Sequence, residues 1–232
     1  MKLLAIDTSS LACSVALNDD SKIYERHEEQ EREHTRLLTP MIEDVVLEAG
    51  IALADLDAIV LGNGPGSFIG MRIAASVAQG LAYGAGLNIV PVSSLAAIAA
   101  QVFAETDASE AVIVQDAHMN EVYLGAYRRA DANLPVPLFA ERLHGQQPIA
   151  ELAESGAADR VAAGFGWQRY PGLFALNETL FLSRAAILHP HARHLLALGA
   201  LALQHGESVD PQDLMPAYLR NKVAEKPQQN AS

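Results

Sequence analysis

From Ile73 to Ala104 the chain carries no Asp, Glu, Lys or Arg. An uncharged run of that length exceeds the roughly 20 residues a membrane-spanning helix needs, so it must be buried in lipid or inside the protein. Its interruptions decide between the two. Gly80, Gly84, Gly86, Asn88, Pro91, Ser93 and Ser94 divide it into a helix, a turn, a strand and another helix, all buried within a soluble fold. Hiding so much uncharged sequence requires a real core. The chain has 232 residues, of which 50% are hydrophobic and 19% charged, a balance that excludes disorder over most of its length. At roughly 100–200 residues per domain, one large or two small domains are allowed.

Charge narrows the partners. With 16 Lys+Arg against 28 Asp+Glu the formal charge is −12, which repels phosphate backbones and excludes stand-alone DNA or RNA binding through a basic surface. A nucleic acid is compatible only if another subunit supplies positive charge, or at a local basic edge such as Arg220 and Lys222. The single cysteine, Cys13, cannot form an internal disulfide and points to a reducing compartment. Met1-Lys2-Leu3-Leu4-Ala5-Ile6 meets Asp7 at once rather than forming a secretory leader, so a cytoplasmic location off the membrane is expected.

The pattern along the chain is α/β. Leu3 to Ile6, Cys13 to Leu17 and Lys22 to His27 read as three strands of an antiparallel meander. Apolar residues at Leu37, Leu38, Met41, Ile42, Val45, Val46 and Ala49 give a first helix closed by Gly50, with Pro40 marking either a kink or a later start. Ala58 to Leu61 is a buried strand, and Ser67 caps a second helix running to about Tyr83. Ile89 to Val92 is a strand, followed by a third helix capped by Ser93 or Ser94. The opening plan then recurs: Ala111 to Asp116 and Glu121 to Tyr127 again form an apolar strand closed by Asp, a polar turn and a return strand. A duplicated architecture is expected, with domains at 1–106 and 107–223 and a flexible tail at 224–232. Pro135, Pro137 and Pro148 break up the second copy, whose best helix is His191 to Leu203.

Two features could carry chemistry. Asp7, Thr8 and Ser9 put a carboxylate and hydroxyls at a strand end, suited to a phosphate or a magnesium-bound water, or to a plain Asx turn. Gly64, Gly66 and Ser67 form a glycine turn before a helix N-terminus, suited to an anion or to simple capping. No Walker ending follows, and Gly66-Ser67-Phe68-Ile69-Gly70 misses the Gly-x-Ser-x-Gly elbow by one residue. A small ATP-binding phosphotransferase and a glycoprotease-like peptidase are the enzyme alternatives. His189, His191 and His194 are the only clustered histidines and read as a solvated helix start, not a zinc site. The second helix offers the stronger clue. Arg72 is its only charge from Phe68 to Tyr83, so it has almost no polar side for water. Either it packs wholly within its own domain, or it and the first helix meet a second chain; the size of the apolar surface favours a partner.

The residues also resemble a known family across nearly the whole length. They are Leu4-Ala5-Ile6-Asp7-Thr8-Ser9, Glu33-His34-Thr35, Leu38-Thr39-Pro40-Met41, Gly62-Asn63-Gly64-Pro65-Gly66-Ser67-Phe68, Asp116-Ala117 with Glu121-Val122-Tyr123, and Pro216-Ala217-Tyr218-Leu219-Arg220-Asn221. In order and spacing they resemble the TsaB (YeaZ) family of bacterial tRNA threonylcarbamoyladenosine biosynthesis. The resemblance implies an actin, sugar kinase and Hsp70-like (ASKHA) fold with a reduced second domain. It also implies a non-catalytic scaffold that pairs with a catalytic TsaD-like paralogue, recruits a TsaE-like ATPase, meets tRNA through the complex and forms a homodimer when alone. TsaD-like relatives bind metal through His-x-x-x-His. The matching stretch here, Ser93-Ser94-Leu95-Ala96-Ala97, has no histidine, so no catalytic residue, metal or intrinsic cofactor is assigned, and ATP, ADP and metal are expected on partner subunits. From the matching helices, Leu38, Met41, Ile42, Val45, Met71, Ala74, Ala75 and Ala78 are the expected partner interface. Asp7, Thr8, Ser9, Gly64, Gly66 and Ser67 are a candidate vestigial nucleotide or anion site. Ile69 and Met71 stand where relatives often carry Thr and Val, which suggests an interface repacked with bulkier groups.

Overall fold

The computed structural model describes residues 1–30, 32–154 and 159–220; the expected tail at 224–232 and Lys222 lie outside them. Short apolar runs closed by turn residues become strands. β1 (Leu3–Asp7), β2 (Ala12–Asn18) and β3 (Ile23–Glu29) form the expected meander. β4 (Ala58–Gly62) adds parallel to β1, and β5 (Ile89–Val92) parallel to β4, giving the order β3-β2-β1-β4-β5. Between them lie α1 (His34–Ala49) and α2 (Phe68–Ala85). Both end where Gly50 (φ 67°) and Gly86 (φ 69°) take the left-handed conformation. Pro40 does not delay the start of α1. It lies on the exposed face, where water can reach the carbonyl its missing N–H leaves unpaired.

The recurrence in the second half is structural. β6 (Glu110–Asp116) and β7 (Val122–Arg129) pair antiparallel, β8 (Pro135–Pro137) and β9 (Arg142–His144) both pair with β7, and β10 (Arg160–Ala163) and β11 (Ser183–Arg184) add in parallel. The order β8-β7-β6-β10-β11 repeats that of the first sheet, with shorter outer strands.

Strand alternation gives each sheet two apolar faces. Leu4, Ile6, Val15, Leu17, Ile59 and Leu61 meet α1 and α2. Leu3, Ala5, Ala16, Val60 and Val90 face the opposite way, where they meet Ala192, Leu195 and Leu196 of α7 (Ala192–Gln204). The helix expected to serve the second copy therefore covers the first sheet. It lies so close that a Cβ on Gly199 would come within 2.4 Å of a Val60 methyl. Conversely, α3 (Ser94–Glu105) sends Leu95, Ile98, Val102 and Phe103 against Ala111, Ile113, Tyr123 and Tyr127 of the second sheet. The outer face of that sheet packs on Ile149 and Leu152 around α4 (Ala150–Glu154), Trp167 of α5 (Phe165–Arg169) and Leu173 of α6 (Pro171–Asn177). Among the described residues no helix is long and apolar enough to cross a membrane; the uncharged run is divided between α2, β5 and α3, with Ser76, Gly80, Tyr83 and Gly84 on the exposed side of α2.

Candidate functional site

The eight residues expected at a partner interface face the protein's own core. Leu38 (1% exposed), Met41, Ile42, Val45, Met71, Ala74, Ala75 and Ala78 (0%) are all buried beneath α1 and α2. The reason is steric. α2 carries two apolar stripes at helical spacing, one of small residues (Ala74, Ala78, Ala82) and one of larger residues (Ile69, Ile73, Val77). Small side chains let a helix axis approach a sheet closely, so the alanine stripe turns inward, Ile73 and Val77 sit half-buried at the edge of the core, and Ile69 is left outward. An Asp at Val45 or Ala78 would bury an unpaired charge inside the chain, not at a contact with another chain.

The outward stripe forms a groove with α1. Phe68, Ile69, Ile73 and Val77 line it from α2, and Thr35, Thr39 and the edge of Leu38 from α1, around a cavity of 400 Å³. Ile69 is 71% exposed; of the two positions read as bulkier than in relatives, it faces out and Met71 faces in. Ser67 fixes the start of α2 by accepting from the Gly70 N–H at 3.2 Å. Arg72 closes one end of the groove: its guanidinium stacks on Phe68 at 3.8 Å, and its Nε donates to the Tyr218 hydroxyl at 3.0 Å. The spacing of Ile69, Ile73 and Val77 was the available signal for this surface, and it was overshadowed by the alanines.

The candidate vestigial site is brought together and shut. Asp7, Thr8 and Ser9 are buried at the end of β1. Asp7 Oδ1 accepts from the Ser9 N–H at 2.8 Å and the Ser9 hydroxyl at 2.7 Å, while Oδ2 accepts from the Ser94 hydroxyl at 2.6 Å. The Thr8 hydroxyl donates to the Gly70 carbonyl at 2.6 Å, and the Ser67 N–H to the Ser9 carbonyl at 2.6 Å. The Gly64 carbonyl accepts from the Ser94 N–H at 2.8 Å. The glycines are there for proximity. A Cβ on Gly62 would lie 2.0 Å from Asp7 Oδ2, one on Gly66 2.1 Å from the Ser9 carbonyl, and one on Gly70 1.9 Å from the Thr8 carbonyl. Burial pushes the Asp7 carboxyl up from 3.8 to about 6, against the lowering effect of its hydrogen bonds from Ser94 and Ser9. The carboxylate thus ties the turn to α3 and presents no free oxygen to a phosphate or a metal-bound water.

Elsewhere, Arg220 is engaged by the Ala117 carbonyl at 3.0 Å and Glu121 at 2.5 Å, so its charge at the proposed basic edge is largely answered within the chain. His189, expected in a solvated helix start, is instead 5% exposed and packs its ring 5.5 Å from that of Phe165.

Two sheets of one plan, each covered by a helix from the other half, define a duplicated α/β protein of the actin, sugar kinase and Hsp70 class. Residues 23–228 match the model of the family described as TsaD, tRNA N6-adenosine threonylcarbamoyltransferase. The chain is 35% identical over 226 residues to the tRNA threonylcarbamoyladenosine biosynthesis protein TsaB of Escherichia coli K12, covering 97% of each. It is 34% identical to the protein of the same description from Haemophilus influenzae, covering 97% of this chain and 96% of that one. The solved structure of YeaZ from Pseudomonas aeruginosa superposes with a TM-score of 0.86 at 37% identity, covering 94% of this chain and 99% of that one. The chain belongs to the TsaB (YeaZ) family of tRNA threonylcarbamoyladenosine biosynthesis.

Proposed function

We propose that the chain is a non-catalytic scaffold of the cytoplasmic complex that transfers a threonylcarbamoyl group to the adenosine beside the tRNA anticodon. It pairs with a TsaD-like catalytic relative through the outer faces of α1 and α2. A TsaE-like ATPase joins that pair, tRNA is reached through the complex, and nucleotide and metal belong to the partner subunits. In the absence of the partner the same face joins two copies of the chain.

One observation carries this reading: α1 and α2 bury a complete inner face and still hold an apolar groove outside it, with Ile69 projecting at its rim. On a monomer such a patch is a liability, and a partner's apolar side chain entering it would be desolvated as an interface anchor. The saturated Asp7 turn agrees with a role that does not use this chain's own nucleotide chemistry.

Co-purification with the TsaD-like protein of the same organism tests it. Ile69→Asp combined with Thr39→Asp should abolish association while the urea midpoint of the isolated chain stays close to wild type, because both positions are exposed on the groove. Retained association with both aspartates in place would overturn the interface. Loss of the gene should deplete threonylcarbamoyladenosine from tRNA, read by nucleoside mass spectrometry.

A further inference from the structure

A second cavity, of 340 Å³, lies apart from the groove. It is bounded by the end of β3, the C-terminal half of α3 and residues 185–191, which lead into α7. It shares no residue with the groove or with the Asp7 turn, and Gln101 lies about 10 Å along α3 from Ser94, which touches Asp7. Its volume falls in the range of small-ligand sites.

Two of its lining side chains are more than nine-tenths buried and each leaves one polar atom without a hydrogen bond. Gln101 (7% exposed) donates through Nε2 to Glu105 at 2.9 Å, but its Oε1 accepts nothing. His189 (5% exposed) has no hydrogen bond at Nδ1. A buried acceptor left bare is destabilising, and a ligand carrying N–H donors would relieve both. Glu29 and Glu105 add two carboxylates to the rim, and no Lys or Arg lines the cavity. Burial holds His189 below its ordinary pKa, so it is neutral at pH 7 and can accept through Nδ1. Behind it, His191 stacks on His27 with ring centroids 3.6 Å apart and turns its own Nδ1 to Glu25 at 3.3 Å.

The lining is therefore rich in acceptors and negative. An anion would be repelled. No group of three or more His, Cys, Asp or Glu among the described residues is placed to hold a metal ion. We propose that this cavity binds a small organic cation with N–H donors, an alkylammonium or guanidinium, received by Gln101 Oε1, His189 Nδ1 and the carboxylates of Glu29 and Glu105. The ligand would touch β3 of the first sheet, the helix that covers the second and the segment that leads back to the first, so occupancy should stabilise both halves together.

Calorimetric titration of the full chain with agmatine and with putrescine tests this, with inorganic phosphate and zinc as comparison probes. At least one amine should bind one to one and raise the melting temperature as its concentration rises. Binding should weaken by about tenfold or more in the double variant Glu29→Gln/Glu105→Gln, whose positions are exposed and leave the fold intact, and in Gln101→Met. No binding of either amine up to about 10 mM, or binding that the double variant leaves unchanged, would overturn the site. Saturable binding of phosphate or zinc without binding of either amine would overturn the ligand class.

Discussion

Asp7 uses its whole carboxylate inside the protein, and this makes its titration visible in stability. Burial lifts its pKa from 3.8 to about 6 in the folded chain. Between those values the unfolded chain has released a proton that the folded chain still holds. Stability must then fall as pH rises from about 4 to about 6 and level off above, by an amount on the order of 3 kcal/mol. Asp7→Asn should remove this component, so the difference between wild-type and variant urea stabilities will change across that window and be flat on either side. A difference independent of pH would mean that the carboxylate is not buried as described. The sequence showed Asp7-Thr8-Ser9 as a turn but not its closure. Ser94 and Gly70, which complete it, stand 87 and 62 residues away, and no local pattern records pairing at that separation. His189 escaped for a related reason: its burial comes from packing against Phe165, not from its neighbours Pro190 and His191.

At the scale of elements, α2 holds its position through what it lacks. Gly70 meets the Thr8 carbonyl with no room for a methyl, whereas Gly80, on the same helix, has nothing within 4 Å. Gly70→Ala should therefore destabilise the chain by about 2 kcal/mol or more by forcing helix and turn apart. Gly80→Ala should stabilise it by up to about 1 kcal/mol through helix propensity. Equal effects in paired denaturation curves would remove the argument that close approach seats this helix. Existence and extent of the helices were largely legible. Ser67, Ser93, Gly50 and Gly86 punctuate them in the sequence, and the structure uses Ser67 and Ser93 as side-chain caps and the glycines as left-handed ends. Facing was not legible. Both stripes of α2 satisfy helical periodicity, and only the distance to β1 and β4 selects alanine for the inside.

The two halves of the molecule are interlocked. The strand plan of the second was readable as an echo of the first, because alternation and a closing Asp recur in β6 and β7. The exchange of covering helices was not, since α3 is apolar nearly all round and α7 carries one apolar stripe, and neither pattern says which sheet it covers. A fragment of residues 1–106 would leave Leu3, Ala5, Ala16, Val60 and Val90 bare where α7 should lie. It should show no cooperative unfolding transition by circular dichroism, whereas the full chain should unfold in a single step. A fragment that melts cooperatively would show that the roof from the other half is dispensable.

That exchange also bears on how such a chain can shrink. Shortening has room to act on the proline-broken middle of the second half, where β8 and β9 are only three residues long. It cannot extend through α7, because that helix shelters the first sheet. A descendant that discarded its whole carboxy-terminal half would strip the cover from the first sheet and with it the seat of α1 and α2, so the shortened copy is needed as a roof whatever else it does.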